Sequence, residues 1–305
     1  LILFKQKKGE NMLVRVITLT VFVLALFSYS AYADISMYGA FNYKMSHDEN
    51  TSGVAYHKLE DNGSKIGWDF SSSSIDGSSL GGFAKLEIGV DTDDSGSDTF
   101  DSRLAYVGVS SNVGDISLGR QSHPFTDNIG GKTNVFNVYG SSADFNYGVR
   151  SSNSVAYSHS ANGLTVDALA IADGSTGDAN AFDEYEYTIS ADVLGSSVSL
   201  GFADDVVNDI SYWGAAATTE VGPITLGTSY TIKDTTTDLA GVEVTAKIDG
   251  FTVGYGDKEG TGNYTTVGVS HSLVDDLSIY AETQLTSPDT GVDTQSYSIG
   301  TKFSF

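Results

Sequence analysis

From residue 34 onward, apolar and polar positions alternate in twos. Ile35, Met37, Phe41, Tyr43 and Met45 stand against Ser36, Tyr38, Asn42 and Lys44, and Ile66, Trp68 and Phe70 oppose Lys65 and Asp69. Ala84, Leu86, Ile88 and Val90 oppose Lys85 and Glu87, and Leu277, Ile279, Ala281 and Leu285 oppose Ser278, Tyr280, Glu282 and Gln284. The final YSIGTKFSF sets Tyr297, Ile299, Thr301, Phe303 and Phe305 against Ser298, Gly300, Lys302 and Ser304. Successive side chains of a strand leave opposite faces, so each segment reads as a β-strand with one apolar and one polar face. Sixteen strands are predicted: 34–46, 64–71, 79–90, 102–111, 114–121, 150–160, 164–172, 183–192, 196–204, 210–219, 224–233, 239–248, 251–257, 263–271, 276–286 and 295–305.

The breaks come in two lengths. Short ones include Ser111-Asn112-Val113-Gly114, Ala161-Asn162-Gly163, Val221-Gly222-Pro223 and Asp249-Gly250; longer ones cover 46–63, 91–101, 122–149, 173–182 and 286–294. Pro124, Pro223 and Pro288 all fall in breaks, as expected of a sheet whose ladder needs every N–H. An even number of two-faced strands, with short turns at one end and long loops at the other, predicts an all-β fold, a transmembrane antiparallel up-and-down β-barrel. Closing the barrel satisfies the backbone groups that an open edge would leave bare in lipid. Sixteen strands enclose a water-filled lumen, where eight would be plugged by their own side chains.

Residues 1–33 read differently. Lys5, Lys7, Lys8 and Arg15 precede the apolar stretch Val16 to Phe27 and then Ala31-Tyr32-Ala33, the layout of a secretory signal peptide. The competing reading, a membrane anchor, is disfavoured by the short apolar run. The expected organisation is upstream and signal residues 1–33, cleaved near Ala33, followed by one barrel domain over 34–305. That domain keeps 12 basic and 38 acidic residues (16 − 4 and 39 − 1), a net charge of −26. Such a balance excludes a nucleic-acid partner, whose phosphates require basic residues, and draws cations to the surface. Without cysteine there is no disulfide or thiol chemistry.

The stretch DSRLAYVGVSSNVGDISLGRQ (101–121), the long segment after it, the start DISMYGAFNY and the terminal KFSF resemble the Gram-negative general diffusion porins. The resemblance implies an outer-membrane homotrimer in contact with lipid and lipopolysaccharide, passing small hydrophilic solutes and ions. It also implies that the longest external loop, here 122–149, narrows the channel, with a basic wall facing acidic loop residues. Matched residue by residue, Lys65, Arg103 and Arg150 occupy the wall, and Asp127 and Asp144 the loop, with Asn128 and Asn134 as polar neighbours. Alternation agrees for the wall: Lys65 opposes Ile66 and Trp68, Arg103 opposes Leu104 and Tyr106, and Arg150 opposes Val155 and Tyr157. Facing lipid, each would cost roughly 2–4 kcal/mol at mid-membrane. The chain departs from the family in having Lys at 65 and Ala40 where a lumenal Lys often sits, which predicts a cation preference. Either Asp could instead merely solvate a long loop.

Arg120 shares phase with Ile116 and Leu118. The resemblance implies that it latches the acidic loop of a neighbouring subunit through Asp93 and Asp94; the alternative is a bend at Gly119 that turns it into the lumen. Asp91 to Gly96 imitates the opening of a calcium-binding EF-hand loop, but the twelfth place is Ser102 rather than a bidentate Glu. The five histidines show no ligand spacing, so no metal and no cofactor is expected. Alternative functions are an outer-membrane barrel enzyme of the lipase or protease type, or a substrate-specific channel. No Gly-x-Ser-x-Gly elbow appears, and no catalytic residue is assigned.

Overall fold

A computed structural model describes residues 33–50, 52–72, 79–93, 99–140, 142–174 and 182–305; the proposed signal segment and Asp94 lie outside the described residues. Seventeen segments form one antiparallel sheet: β1 (Ala33–Glu49), β2 (Ala55–Asp61), β3 (Lys65–Ser72), β4 (Gly81–Val90), β5 (Phe100–Ser110), β6 (Asp115–Ser122), β7 (Arg150–Ala161), β8 (Leu164–Ile171) and β9 (Glu184–Val193). They continue with β10 (Ser196–Asp205), β11 (Ile210–Val221), β12 (Ile224–Asp234), β13 (Leu239–Ile248), β14 (Phe251–Lys258), β15 (Gly262–Val274), β16 (Leu277–Pro288) and β17 (Thr294–Ser304). β2 and β3 are one stave, since β1 pairs with β3 over 33–40 and with β2 over 43–49. Asn42 bridges the interruption: its N–H donates to Ser64 Oγ (2.9 Å) and its carbonyl accepts from Asn62 N (2.8 Å). The barrel therefore has the expected sixteen staves.

The two ends of the sheet meet. Residues 40–47 of β1 pair with 297–304 of β17, and Phe305 exchanges backbone hydrogen bonds with Gly39 in both directions (2.9 and 3.1 Å). Among the described residues no helix is long and apolar enough to cross a membrane; the crossing elements are strands. Their outer face is bare hydrocarbon, with Ile35, Met37, Val107, Leu118 and Ile299 exposed, while the inner face buries polar groups such as Ser117, Glu186, Thr231 and Glu243. That is the reverse of a soluble core and matches a barrel with lipid outside and water inside.

Short turns at one end have the sharp chemistry the sequence suggests. In Asn162-Gly163, Leu194-Gly195 and Asp249-Gly250 both residues have positive φ, the geometry of two-residue hairpin turns. At the other end, one expected break needs correction. The loop anticipated over 46–63 shrinks to residues 50–54, because β1 runs on to Glu49 and pairs with a strand, β2, that was not foreseen. Segment 55–61 (AYHKLED) alternates poorly, and its strand state is imposed by its neighbour rather than by its own pattern.

Candidate functional site: the lumen and the loop that crosses it

The loop 123–149 leaves β6 and enters the barrel. Pro124 opens a five-residue helix α1 (Pro124–Asn128), where its missing N–H costs nothing, and a 3-10 turn follows at Gly130–Lys132. His123 N–H to Val149 O (3.1 Å) and Thr126 Oγ1 to Gly148 O tie the two ends of the loop together. Phe125 and Ile129, both buried, pack on Ala203, Tyr212 and Ala216 of β10 and β11.

Two features of the far wall, β9 to β15, receive this loop. The first is a belt of inward glycines at 201, 214, 227, 241, 254 and 268, one on each strand from β10 to β15. A Cβ at Gly241 would lie 2.0 Å from Ala143 O, and one at Gly214 would lie 2.8 Å from the Phe125 ring. The loop sits against this wall because side chains are missing there. The second feature is a set of inward carboxylates that accept the loop's backbone N–H groups. Glu186 takes Phe125 N (3.0 Å), Glu243 takes Ser142 N (3.1 Å), and Glu282 on β16 takes Asn137, Val138 and Tyr139 N. The loop's irregular backbone would otherwise be unpaired. Further on, Tyr139 Oη donates to Asp48 (2.7 Å) and Asn62 Nδ2 donates to Asn137 O (2.9 Å), so the loop spans to the wall at β1 and β2.

On the opposite wall Lys65 and Arg103 come together, but not as a free basic ladder. Glu87 of β4, whose side chain is only 4% exposed, binds Lys65 Nζ at 3.0 Å and Arg103 Nε at 2.7 Å, and accepts from Tyr38 Oη at 2.9 Å. Lys85 is likewise paired with Asp69 (2.8 Å) and Lys44 with Glu60 (3.2 Å).

Arg103 reaches the lumen for a reason other than simple alternation. Val107 and Val109 face outward, so Leu104 and Tyr106 are the inward residues, contrary to the parity assigned to them. A bulge pairs Leu104 with Glu87 and Ser102 with Ile88, leaving Arg103 as an extra residue turned inward. Arg150 faces Ser122 beside a second bulge near Gly119, within the fields of Arg103, Glu87, Asp127 and Arg120; its buried Nε–H donates no hydrogen bond.

Asp127 is exposed to lumenal water and lines a cavity of about 510 Å³ with Lys85, Tyr106, Asp115 and Asp167. Protein all around it removes bulk water and pushes its pKa up; the Ser122 hydrogen bond and the Arg150 charge pull it partly back. Asn128 is turned to Asp167 Oδ2 (2.9 Å) and Thr188 Oγ1 (2.7 Å). Asp144 is not brought to this face. It is buried against the far wall, where Oδ1 accepts from Ser229 Oγ (2.7 Å), and burial raises its pKa too. Its displacement follows from Gly241, which lets the loop backbone at Ala143 lie flat on β13.

Arg120 donates to Ser102 O (3.0 Å) and Ser152 Oγ (3.3 Å) within its own subunit, and Asp93 accepts from Asp61 N (2.7 Å). The sequence reading passed over Glu87, Glu186, Glu243 and Glu282. The glycine belt also went unread, although its signal was available: glycines recur at intervals of 13 or 14 residues from 201 to 268.

A closed sixteen-stave barrel with an apolar exterior, a polar interior and a loop across its lumen defines an outer-membrane channel. The family model described as Gram-negative porin matches residues 19–304, and the chain belongs to that family. No curated protein matches it in sequence. Among solved structures, the chain is similar to a Salmonella typhi OmpF in complex with daunomycin (TM-score 0.75, 15% identity, covering 89% of this chain and 97% of that one). It is similar to an anion-selective porin from Comamonas acidovorans (TM-score 0.72, 15% identity, 90% and 100% covered). A Vibrio cholerae OmpT in its trimer form aligns with TM-score 0.67 and 18% identity, 90% and 99% covered. At such identities these structures share the fold with this chain.

Proposed function

We propose that this protein is a passive, cation-preferring diffusion channel for small hydrophilic solutes, working as a homotrimer after cleavage of its signal peptide near Ala33, and that it is not an enzyme. The observation that carries the reading is how the charges are partnered: Lys65 and Arg103 both lean on Glu87, which halves their joint charge, while Asp127 and Asp167 line the lumenal cavity without a lysine or arginine salt bridge among the described residues, Asp167 accepting from Asn128 and Ser158. A cation passing the loop meets uncompensated negative charge, and an anion is repelled. Selectivity has to be argued from these side chains, because the fold is shared with a porin described as anion selective. Lys65, Arg103, Arg150 and Asp127 form the constriction in this reading, with Asp144 supporting the loop from behind. The trimer form of the Vibrio cholerae relative supports threefold assembly here. In such an assembly Arg120 would exchange its internal acceptors for carboxylates of a neighbouring subunit's acidic loop, the one that begins at Asp93 and whose Asp94 lies outside the described residues.

Planar-bilayer recording tests the proposal. The expected result is current steps in groups of three, with reversal potentials under a salt gradient that favour the cation. Silent membranes, or hydrolysis of lipid or peptide by the purified protein, would overturn it. Replacing Lys65, Arg103 and Arg150 together should raise the cation preference further, and unchanged reversal potentials would remove them from the constriction.

A further inference from the structure

At the root of the loop three ionisable side chains are sealed from solvent. His123, Glu184 and Glu186 each have 0% exposed side chains, and one donor atom from each lies within 4.8 Å of the others. His123 Nδ1 is 2.6 Å from Glu186 Oε1 and 3.6 Å from Glu184 Oε1. Both oxygens of Glu184 are buried and receive no hydrogen bond. A carboxyl taken fully out of water without a donor must either keep its proton or be accompanied by a cation.

The geometry points to a binding site for one divalent transition-metal ion, ligated by His123 Nδ1, Glu184 and Glu186. The ligand chemistry fits a borderline ion such as zinc(II), which takes imidazole and carboxylate together. Charge fits as well, since two carboxylates and a neutral imidazole offset a dication. The second ring nitrogen of His123 is 2.8 Å from Ser151 Oγ, an outer partner able to accept Nε2–H once an ion takes the Nδ1 lone pair. Glu186 Oε2 stays on Phe125 N while Oε1 turns to the site. Donors around zinc sit about 3.3 Å apart, so the contact of 3.6 Å is already close and the one of 2.6 Å must open by less than an ångström. The proton held between His123 and Glu186 leaves to solvent as the ion binds. The Tyr147 ring, stacked over His123 at 5.7 Å and exposed to the lumen, is the cover that turns aside. The ion pins the loop's first residue to β9, fixing the constriction from its base. The three ligands are 61 and 63 positions apart in the chain, which no local spacing motif reveals.

The test titrates EDTA-stripped trimer with zinc sulfate in excess calcium, which competes at all-oxygen surface sites but not at an imidazole. The expected stoichiometry is about one zinc per chain, weakened about 100-fold or more in Glu184→Gln and His123→Ala. Sheet circular dichroism and heat-dependent mobility verify that the variants fold. Where they do not, crystals of the unaltered protein soaked in zinc supply the answer through an anomalous peak among the three side chains. No zinc retained in the presence of calcium, equal retention by Glu184→Gln, or an anomalous peak only elsewhere would each overturn the site.

Discussion

The two walls of the lumen use glutamate for opposite ends. On the wall of β2 to β7, Glu87 is held between two cations and a tyrosine, and its charge offsets half that of Lys65 and Arg103. On the wall of β9 to β16, Glu186, Glu243 and Glu282 face no lysine or arginine salt bridge among the described residues; they accept N–H groups from the loop instead. One wall sets what the passing ion feels, and the other fixes where the loop stands. Charge on the inner face is therefore not a uniform coating. What a lumenal acid contributes to selectivity depends on the partners it already holds.

The sharpest way to break this contrast is Glu282→Ala. Three backbone N–H groups and the Asn137 side chain lose their acceptor. With charge-assisted bonds worth about 1.5–3 kcal/mol each and not additive, the loop should lose on the order of 3–5 kcal/mol of anchoring. The expected signs are noisy open-channel current and proteolytic cleavage near residues 137–140 while the barrel persists; Glu282→Gln, which keeps one carbonyl, should show a weaker form. A quiet channel with an uncut loop would mean that the far-wall acids do not hold it.

Next in size is Gly241→Val. Even a Cβ would lie 2.0 Å from a backbone oxygen of the loop, which cannot swing aside as a side-chain tip could. Overpacking of this kind typically costs about 1–3 kcal/mol. Pushing Ala143 and Asp144 off β13 should move the loop toward the wall of Lys65 and Arg103 and narrow the passage, lowering single-channel conductance. The matching change at an outward position, Val244→Ala, should leave conductance as it is.

These two residues also show what could be read in advance. Strand identity followed from alternation because lipid and water sit on opposite faces of every stave, a signal repeated along the whole chain. Lys65 was placed by the same rule. Arg103 turns inward to Glu87, but not by alternation, which fails at the bulge between Ile88 and Glu87; only cross-strand pairing reveals this. The partnership of Glu87 with residues on β1, β3 and β5 depends on register, which no single segment encodes. Asp144 was misplaced because the path of a 27-residue loop is dictated by glycines and carboxylates on distant strands, not by its own sequence.

The near wall can be sharpened by Glu87→Gln. The local charge of Lys65, Arg103 and residue 87 would change from +1 to +2, moving selectivity toward anions. An ion passing at ~8 Å feels about half a kcal/mol per unit charge at the dielectric of water, a little over twofold in permeability ratio. Reversal potentials in a salt gradient measure this directly. The same substitution at Glu243 should alter current noise more than selectivity, because that carboxylate already belongs to Ser142 N and Thr133 Oγ1.

The smallest effect expected is pH dependence through Asp127. Its pKa is raised, chiefly because surrounding protein displaces bulk water, with Arg150 opposing the rise. A raised carboxyl binds its proton earlier as pH falls, so the negative charge it offers to cations is lost above the range where ordinary surface aspartates titrate. Cation preference should therefore begin to decline while the exposed acidic loops are still ionised, by about the same twofold as one unit charge at ~8 Å. Asp127→Asn should show the reduced preference at neutral pH and flatten that part of the profile. Arg150→Gln should move the decline to higher pH, because the cation that pulls the carboxyl down is gone. If the profile of Asp127→Asn still follows that of the unaltered channel, the open acid of the lumen is another residue, and Asp167 on the same cavity is the one to change next.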